Sequence, residues 1–283
     1  MGHDYRPDYS KLGKIKENFP HVPMIAVTAT AIDRVRKDTC DIIKLSSHHK
    51  LFRSSAKRDN LKYQIRPKSD KKEEVVGDIA AFIKEKHKGA AGIVYTLSKK
   101  NADTVAKELC ERGIRAAPYH SDRTPLQKQQ VQSSWMRNST QVVVATIAFG
   151  LGINKPDVRF VIHHTVSKSI ENYYQESGRA GRDGKDSDCV LYYSPKDVGT
   201  LASMASETQN GLQQLWPMIR YCQEDGDDAL CKATILRNLN EVSVEDFEKT
   251  KKAFYDGDHM KERVDISDAA RAIVKFVAGK TNP

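Results

Sequence analysis

The chain has 283 residues, 39% hydrophobic and 29% charged, which makes it a folded globular protein with room for one large domain with appendages or two ordinary ones. Lys and Arg number 46 against 37 Asp and Glu, a net charge of +9 that suits a polyanionic partner and also fits soluble proteins that have none. No stretch approaches the ~20 apolar residues of a membrane span, no apolar signal core opens the chain, and Cys40, Cys110, Cys189, Cys222 and Cys231 form no Cys-x-x-Cys pair; a membrane protein, a disulfide framework and a complete zinc module are excluded, and a soluble intracellular chain is expected.

From Met24 to about Ser194, short β-rich runs alternate with longer amphipathic ones, a rhythm that predicts a parallel sheet covered by helices on both faces. Strands are expected over residues 24–28, 61–66, 91–96, 116–119, 141–146, 159–163 and 189–193. The polar, basic stretch 48–59 has no period and reads as a linker between the first strand unit and the rest. Thr124-Pro125-Leu126-Gln127 combines an N-cap threonine, a proline at the first helical position and a glutamine at the third, a capping box that opens a helix to about Met136. After Ser194 the strand signal ends. Helical patterns follow, one with Ala270, Ile273, Val274 and Val277 on a single face, so a helical appendage is expected from about Pro195 onward.

Two runs carry chemistry. Tyr173 to Gly184 (Tyr-Tyr-Gln-Glu-Ser-Gly-Arg-Ala-Gly-Arg-Asp-Gly) sets Arg179 and Arg182 three residues apart among Gly178, Gly181 and Gly184, directly after a predicted helix. Glycines permit a tight bend, and two guanidiniums at that spacing can meet phosphate oxygens through forked, charge-assisted hydrogen bonds. The plainer reading of either arginine is a surface salt bridge. In the second run, Val142 to Asp157, a buried strand delivers Thr146 to the carboxyl edge of the sheet, and Gly150 and Gly152 open a turn whose N–H groups can face phosphate. Asp157 reads equally as a helix cap or turn residue.

Together these runs resemble motifs V and VI of superfamily 2 helicases and, within them, the RecQ family, most of all its Bloom-type branch. Gly92 to Ser98 followed by Ala102-Asp103-Thr104-Val105-Ala106 resembles motif IV, Thr28-Ala29-Thr30-Ala31 resembles motif III, and Gly2 to Tyr9 is similar to the end of the family's aromatic-rich loop. The resemblance implies two RecA-like lobes that clamp ATP with Mg²⁺ and move 3′ to 5′ along one DNA strand, displacing the other, with single-stranded and forked DNA as partners, in recombination, repair and replication. It implies nuclear residence, recombination and repair proteins as partners, and no membrane. Carried over residue by residue, Arg182 is the arginine finger, Arg179 stands beside it and Gln175 organises the turn. Gly150, Gly152, Asp157, Gly178 and Gly181 line the nucleotide side. Ser98, Lys99, Asn101, His120 and Thr146 face the DNA backbone, and Tyr5 with Arg6 fits base stacking plus a phosphate contact.

The expected division is 1–47 as the end of a first RecA-like lobe, 48–59 as linker, 60–194 as the second lobe, 195–262 as a degenerate zinc-binding-type helical region and 263–283 as the start of a winged helix. Neither a Walker A loop nor Asp-Glu-x-His occurs in the sequence, so one wall of the ATP site is expected here and no hydrolysis by the chain alone. Tyr119-His120-Ser121-Asp122-Arg123 departs from the family's Tyr-His-Ala-Gly-Leu by placing an acid near the DNA track. Only Cys231 matches the family's four zinc cysteines, so no metal site is expected, and His259 reads as part of a solvated turn. The alternative of another class is a non-catalytic DNA- or protein-binding module on the same fold; an RNA helicase lobe is weaker because Gln-Glu-Ser-Gly-Arg-Ala-Gly-Arg resembles RecQ more.

Overall fold

The β-rich runs pair into one parallel sheet, seen in a computed structural model that describes residues 7–28, 33–52, 54–146, 149, 153–208, 210–224 and 226–255. A 3-10 turn (Pro7–Lys11) leads into α1 (Gly13–Asn18) and α2 (Asp33–Ile42). Then β1 (Leu61–Pro67), α3 (Lys72–Lys86), β2 (Ala91–Tyr95), α4 (Lys99–Glu111), β3 (Ala116–Tyr119), α5 (Pro125–Met136), β4 (Val142–Ala145), β5 (Val158–His163), α6 (Ile170–Ser177) and β6 (Ser187–Tyr193) alternate. Four helices close the described chain: α7 (Asp197–Ser206), α8 (Gly211–Gln223), α9 (Asp228–Asn238) and α10 (Val244–Tyr255). The strand order is β1-β6-β5-β2-β4-β3, every neighbouring pair parallel.

Side-chain alternation splits the apolar residues between two cores. Ile93, Val143 and Leu191 join Trp135, Tyr173, Leu215 and Ile219 on one face. Val94, Val144 and Val190 meet Val76, Ile79, Ile83 and Leu109 of α3 and α4 on the other. A sheet buried on both faces needs the near-continuous apolar runs seen in β2 and β4. At one edge β3 tolerates Pro118, which has no N–H to donate, because no further strand pairs there among the described residues. At the other, the Tyr63 amide of β1 donates to Asp228 of α9 at 2.6 Å, and Lys232 ties Asp228 at 2.7 Å to the Asp59 carbonyl at 3.3 Å.

Six expected strands form, with ends shifted by a residue or two. The seventh does not: residues 24–28 pair with no strand among the described residues, and Ile25 and Val27 stand 86% and 89% exposed. The run is apolar and β-rich enough for a strand, but a strand is held by a neighbouring strand, and none pairs with it among the described residues. The capping box forms as read, with Thr124 Oγ1 accepting from the Gln127 amide and Gln127 Oε1 from the Thr124 amide. The appendage is helical and packs into the sheet's own core through Val198, Leu201, Met218, Cys222 and Ile235. The apolar face of residues 270–277, and His259, lie outside the described residues.

Candidate functional site

The Tyr173–Gly184 run folds as the end of α6 and a tight turn. Ser169 caps the helix, its Oγ accepting from the Asn172 amide, and Tyr173 is fully buried. Gly178 ends the helix where a Cβ would lie 2.8 Å from the Tyr174 carbonyl. Gly181 sits at φ +56°, and its amide donates to the Val158 carbonyl at 2.9 Å, stitching the turn to the start of β5. The amides of both glycines are thus engaged within the protein, and both residues serve the shape of the turn.

That turn leaves the two arginines without counter-ions among the described residues. Glu176 is taken by His163 Nε2 at 2.8 Å and Ser167 Oγ at 2.6 Å, and Asp183 forms a two-pronged pair with Arg159, both contacts 2.7 Å. Arg182 Nη1 instead donates to the Ile153 carbonyl at 2.7 Å. Arg179 lies against the Tyr95 hydroxyl, while its Nε is buried with no hydrogen-bond partner. Burial raises the Tyr95 pKa against the pull of that guanidinium. A third guanidinium, Arg58, approaches from the linker, and no carboxylate pairs with any of the three among the described residues. Burial, then Arg179 and Arg58, lower the Arg182 pKa from the ordinary arginine value. Clustered cations of this kind are stabilised by an anion. Gln175 lies half-buried on α6, one turn before Arg179.

The loop after β4 joins this pole to the sheet's carboxyl edge. Thr146, half-buried beyond β4, donates its amide to Tyr119 at 3.4 Å and accepts from the Phe149 amide at 3.1 Å. The Phe149 carbonyl accepts from the Tyr95 hydroxyl at 2.9 Å, and the Ile153 carbonyl from Arg182. Asp157 pairs with Lys155 at 2.9 Å; the lysine, 2% exposed, also donates to the Met136 carbonyl at 3.3 Å and Asn138 Oδ1 at 2.8 Å. Burial works to raise the Asp157 carboxyl, and the Lys155 hydrogen bond and charge, with hydrogen bonds from its own backbone and from Asn138, together outweigh it and hold the pKa below its ordinary value. Gly150 and Gly152 lie outside the described residues, as do Tyr5 and Arg6.

The remaining candidates gather beyond the neighbouring strands β2, β4 and β3. Ser98 caps α4, its Oγ accepting from the Asn101 amide at 3.1 Å. Lys99 is exposed and pairs with Asp122 at 2.6 Å, a contact that holds the Asp122 carboxyl below its ordinary pKa. His120 is buried, with Nε2 3.2 Å from Asp103, which also pairs with Arg123. Sequence reading missed Arg58, Tyr95, Lys155 and Arg159. Lys155 two positions from Asp157 was the one local signal; the others act across long sequence separations.

The family described as helicase conserved C-terminal domain matches residues 71–184. Those residues run from the cap of α3 through the arginine turn. ATP-dependent DNA helicase Q-like 2 of Arabidopsis thaliana is 44% identical over 278 residues, 98% of this chain and 39% of that protein. ATP-dependent DNA helicase Q1 of Rattus norvegicus is 45% identical over 242 residues, 85% of this chain and 38% of that protein. RecQ-like DNA helicase BLM of Xenopus laevis is 43% identical over 231 residues, 78% of this chain and 17% of that protein. The chain thus spans well under half the length of these relatives, and its likeness to RecQ-type helicases does not single out the Bloom-type branch. The structure of S. cerevisiae Dbp5 bound to RNA and ADP BeF3 shares the fold of the helicase domain, with a TM-score of 0.57 at 16% identity over 88% of this chain and 60% of that one.

Proposed function

We propose that this chain is the second motor lobe of a RecQ-type, ATP-dependent DNA helicase that unwinds single-strand-tailed and forked DNA in the 3′ to 5′ direction, in nuclear recombination and repair. The observation that carries the reading is the cluster of Arg179, Arg182 and Arg58, whose neighbouring acids Glu176 and Asp183 are held by His163 and Arg159. Such a cluster fits the terminal phosphate of ATP, and positive charge placed there stabilises the charge that builds during phosphoryl transfer. Arg182 acts as the finger, Arg179 beside it, and Gln175, Gly178 and Gly181 form the turn that presents them. Since both acids of the turn are engaged, Mg²⁺ would be held by residues of a first lobe.

Residues 1–47 belong to the end of that first lobe, 48–59 to the linker, 60–194 to the second lobe, and 195–262 and 263–283 to the zinc-type helical region and the winged helix. Ser98, Lys99, Asn101, His120 and Thr146 hold the backbone of the tracked strand, with Tyr5 and Arg6 beside a base. Gly150, Gly152 and Asp157 belong to the loop that connects strand and nucleotide. Without a Walker A loop in these residues, the chain alone does not hydrolyse ATP. The test is DNA-stimulated ATP hydrolysis with and without a separately made RecQ-type first lobe, comparing wild type with Arg182→Ala. Hydrolysis only with the added lobe, lost in the variant, is expected. DNA binding without hydrolysis in any mixture would instead establish a non-catalytic binding module.

A further inference from the structure

The linker that precedes β1 is bonded directly to the arginine turn. Arg58 Nη2 donates to the Gly181 carbonyl at 2.8 Å and the Ala180 carbonyl at 3.2 Å. Asn60 Nδ2 donates to the same Gly181 carbonyl at 2.8 Å and to Lys185 at 2.9 Å, while Asn60 Oδ1 accepts from Arg58 Nε at 3.3 Å. The Asn60 carbonyl accepts from the Ser187 amide at 2.9 Å, and Tyr174 on α6 donates its hydroxyl to the Ala56 carbonyl at 2.7 Å. Two side chains of the segment just before β1, Arg58 at the end of the linker and Asn60 after it, therefore share one carbonyl oxygen of the turn, more than a passing surface contact provides.

That oxygen matters because the Gly181 carbonyl and the Arg182 N–H belong to one planar peptide. Fixing the oxygen fixes the plane from which the Arg182 side chain departs. The fit is close: a Cβ on residue 181 would lie 2.4 Å from Asn60 Nδ2. Arg58 also brings its own charge beside Arg182, strengthening the cationic pole while holding it in place.

We propose that Arg58 and Asn60 are positioning residues that orient Arg182 through the Gly181 peptide, so that the direction of the linker sets the aim of the finger. This rests on the reading of Arg182 as the finger. It implies that a displacement of the segment before β1 reaches the phosphate-binding arginines without passing through the sheet.

The test uses the 283-residue chain as wild type, Arg58→Ala, Arg58→Lys and Asn60→Ser. Amide hydrogen exchange of residues 178–185 is read in the chain alone, and kcat and KM for ATP with the added first lobe. In Arg58→Ala, exchange of those amides is expected to rise by about tenfold and kcat to fall by about ten- to a hundredfold with KM within about twofold, since misplacing a reacting group by an ångström costs that much. Arg58→Lys, which keeps the charge and loses the fork, falls between, and Asn60→Ser repeats the pattern more mildly should Arg58→Ala not fold. Wild-type kcat in the folded variants, or a loss confined to KM, overturns the proposal and leaves the finger reading standing. A wild type that hydrolyses no ATP with any first lobe, whatever the exchange shows, overturns both.

Discussion

The arginine turn and the carboxyl edge beyond β2, β4 and β3 are both rich in charge, and they dispose of it in opposite ways. In the turn, the acids are led away: Glu176 to His163 and Ser167, Asp183 to Arg159. At the edge, cations and acids face each other, Lys99 with Asp122 and Arg123 and His120 with Asp103. The first arrangement leaves positive charge standing and suits tight, well-aimed contact with a phosphate. In the second, His120 is buried, but Lys99–Asp122 and Arg123–Asp103 are exposed or half-exposed pairs of small net worth, which a passing polyanion can displace. A net charge alone would not distinguish them; the destination of each carboxylate does.

Four substitutions break or sharpen that contrast. Arg182→Ala removes the aimed cation and should lower ATP hydrolysis with an added first lobe by about a thousandfold or more, read as kcat. Lys155→Met unties the loop that joins the two regions and strands the Asn138 and Met136 acceptors; thermal or urea unfolding should show a loss of about 1–3 kcal/mol. Because the folded Asp157 carboxyl is held below its ordinary value, its share of that stability is complete at neutral pH and is lost as pH falls below about 4, so the gap between wild type and variant narrows in acid by that share and keeps the part due to Asn138 and Met136. Arg159→Ala releases Asp183 beside Arg182 and should cost about tenfold in kcat with little change in melting temperature, converting the turn into a region like the edge. Asp122→Gly frees Lys99 and should tighten single-strand DNA binding by about threefold, with a steeper dependence on salt by about one phosphate contact.

How much of this the sequence disclosed follows the range of the interactions. The strands of the sheet were legible because buried parallel strands need continuous β-branched runs such as Val142-Val143-Val144, and α5 because its cap is chemically explicit within four residues. Arg179 and Arg182 stood out through local spacing. What made them unpaired did not, since His163 lies 13 positions from Glu176 and Arg159 lies 24 from Asp183. Arg58 was hidden more deeply: its stretch has no period, and its partners at Ala180 and Gly181 lie more than 120 positions on. Residues 24–28 failed the other way, an apolar, β-rich run that pairs with no strand among the described residues.

The bond from the Tyr63 amide to Asp228 bears on the life of the molecule outside its chemistry. β1 ends the sheet, and an open edge with its row of free donors and acceptors is a template on which other chains add strands. Helix α9 lies across that edge and carries Cys231 and Ile235 into the sheet's core. A polypeptide cut back to the sheet would therefore lose its sheath as well as the apolar side chains that these helices add to one of its two cores, and would be prone to aggregate on synthesis. The helices after Ser194 act in this sense as a built-in guard against self-association.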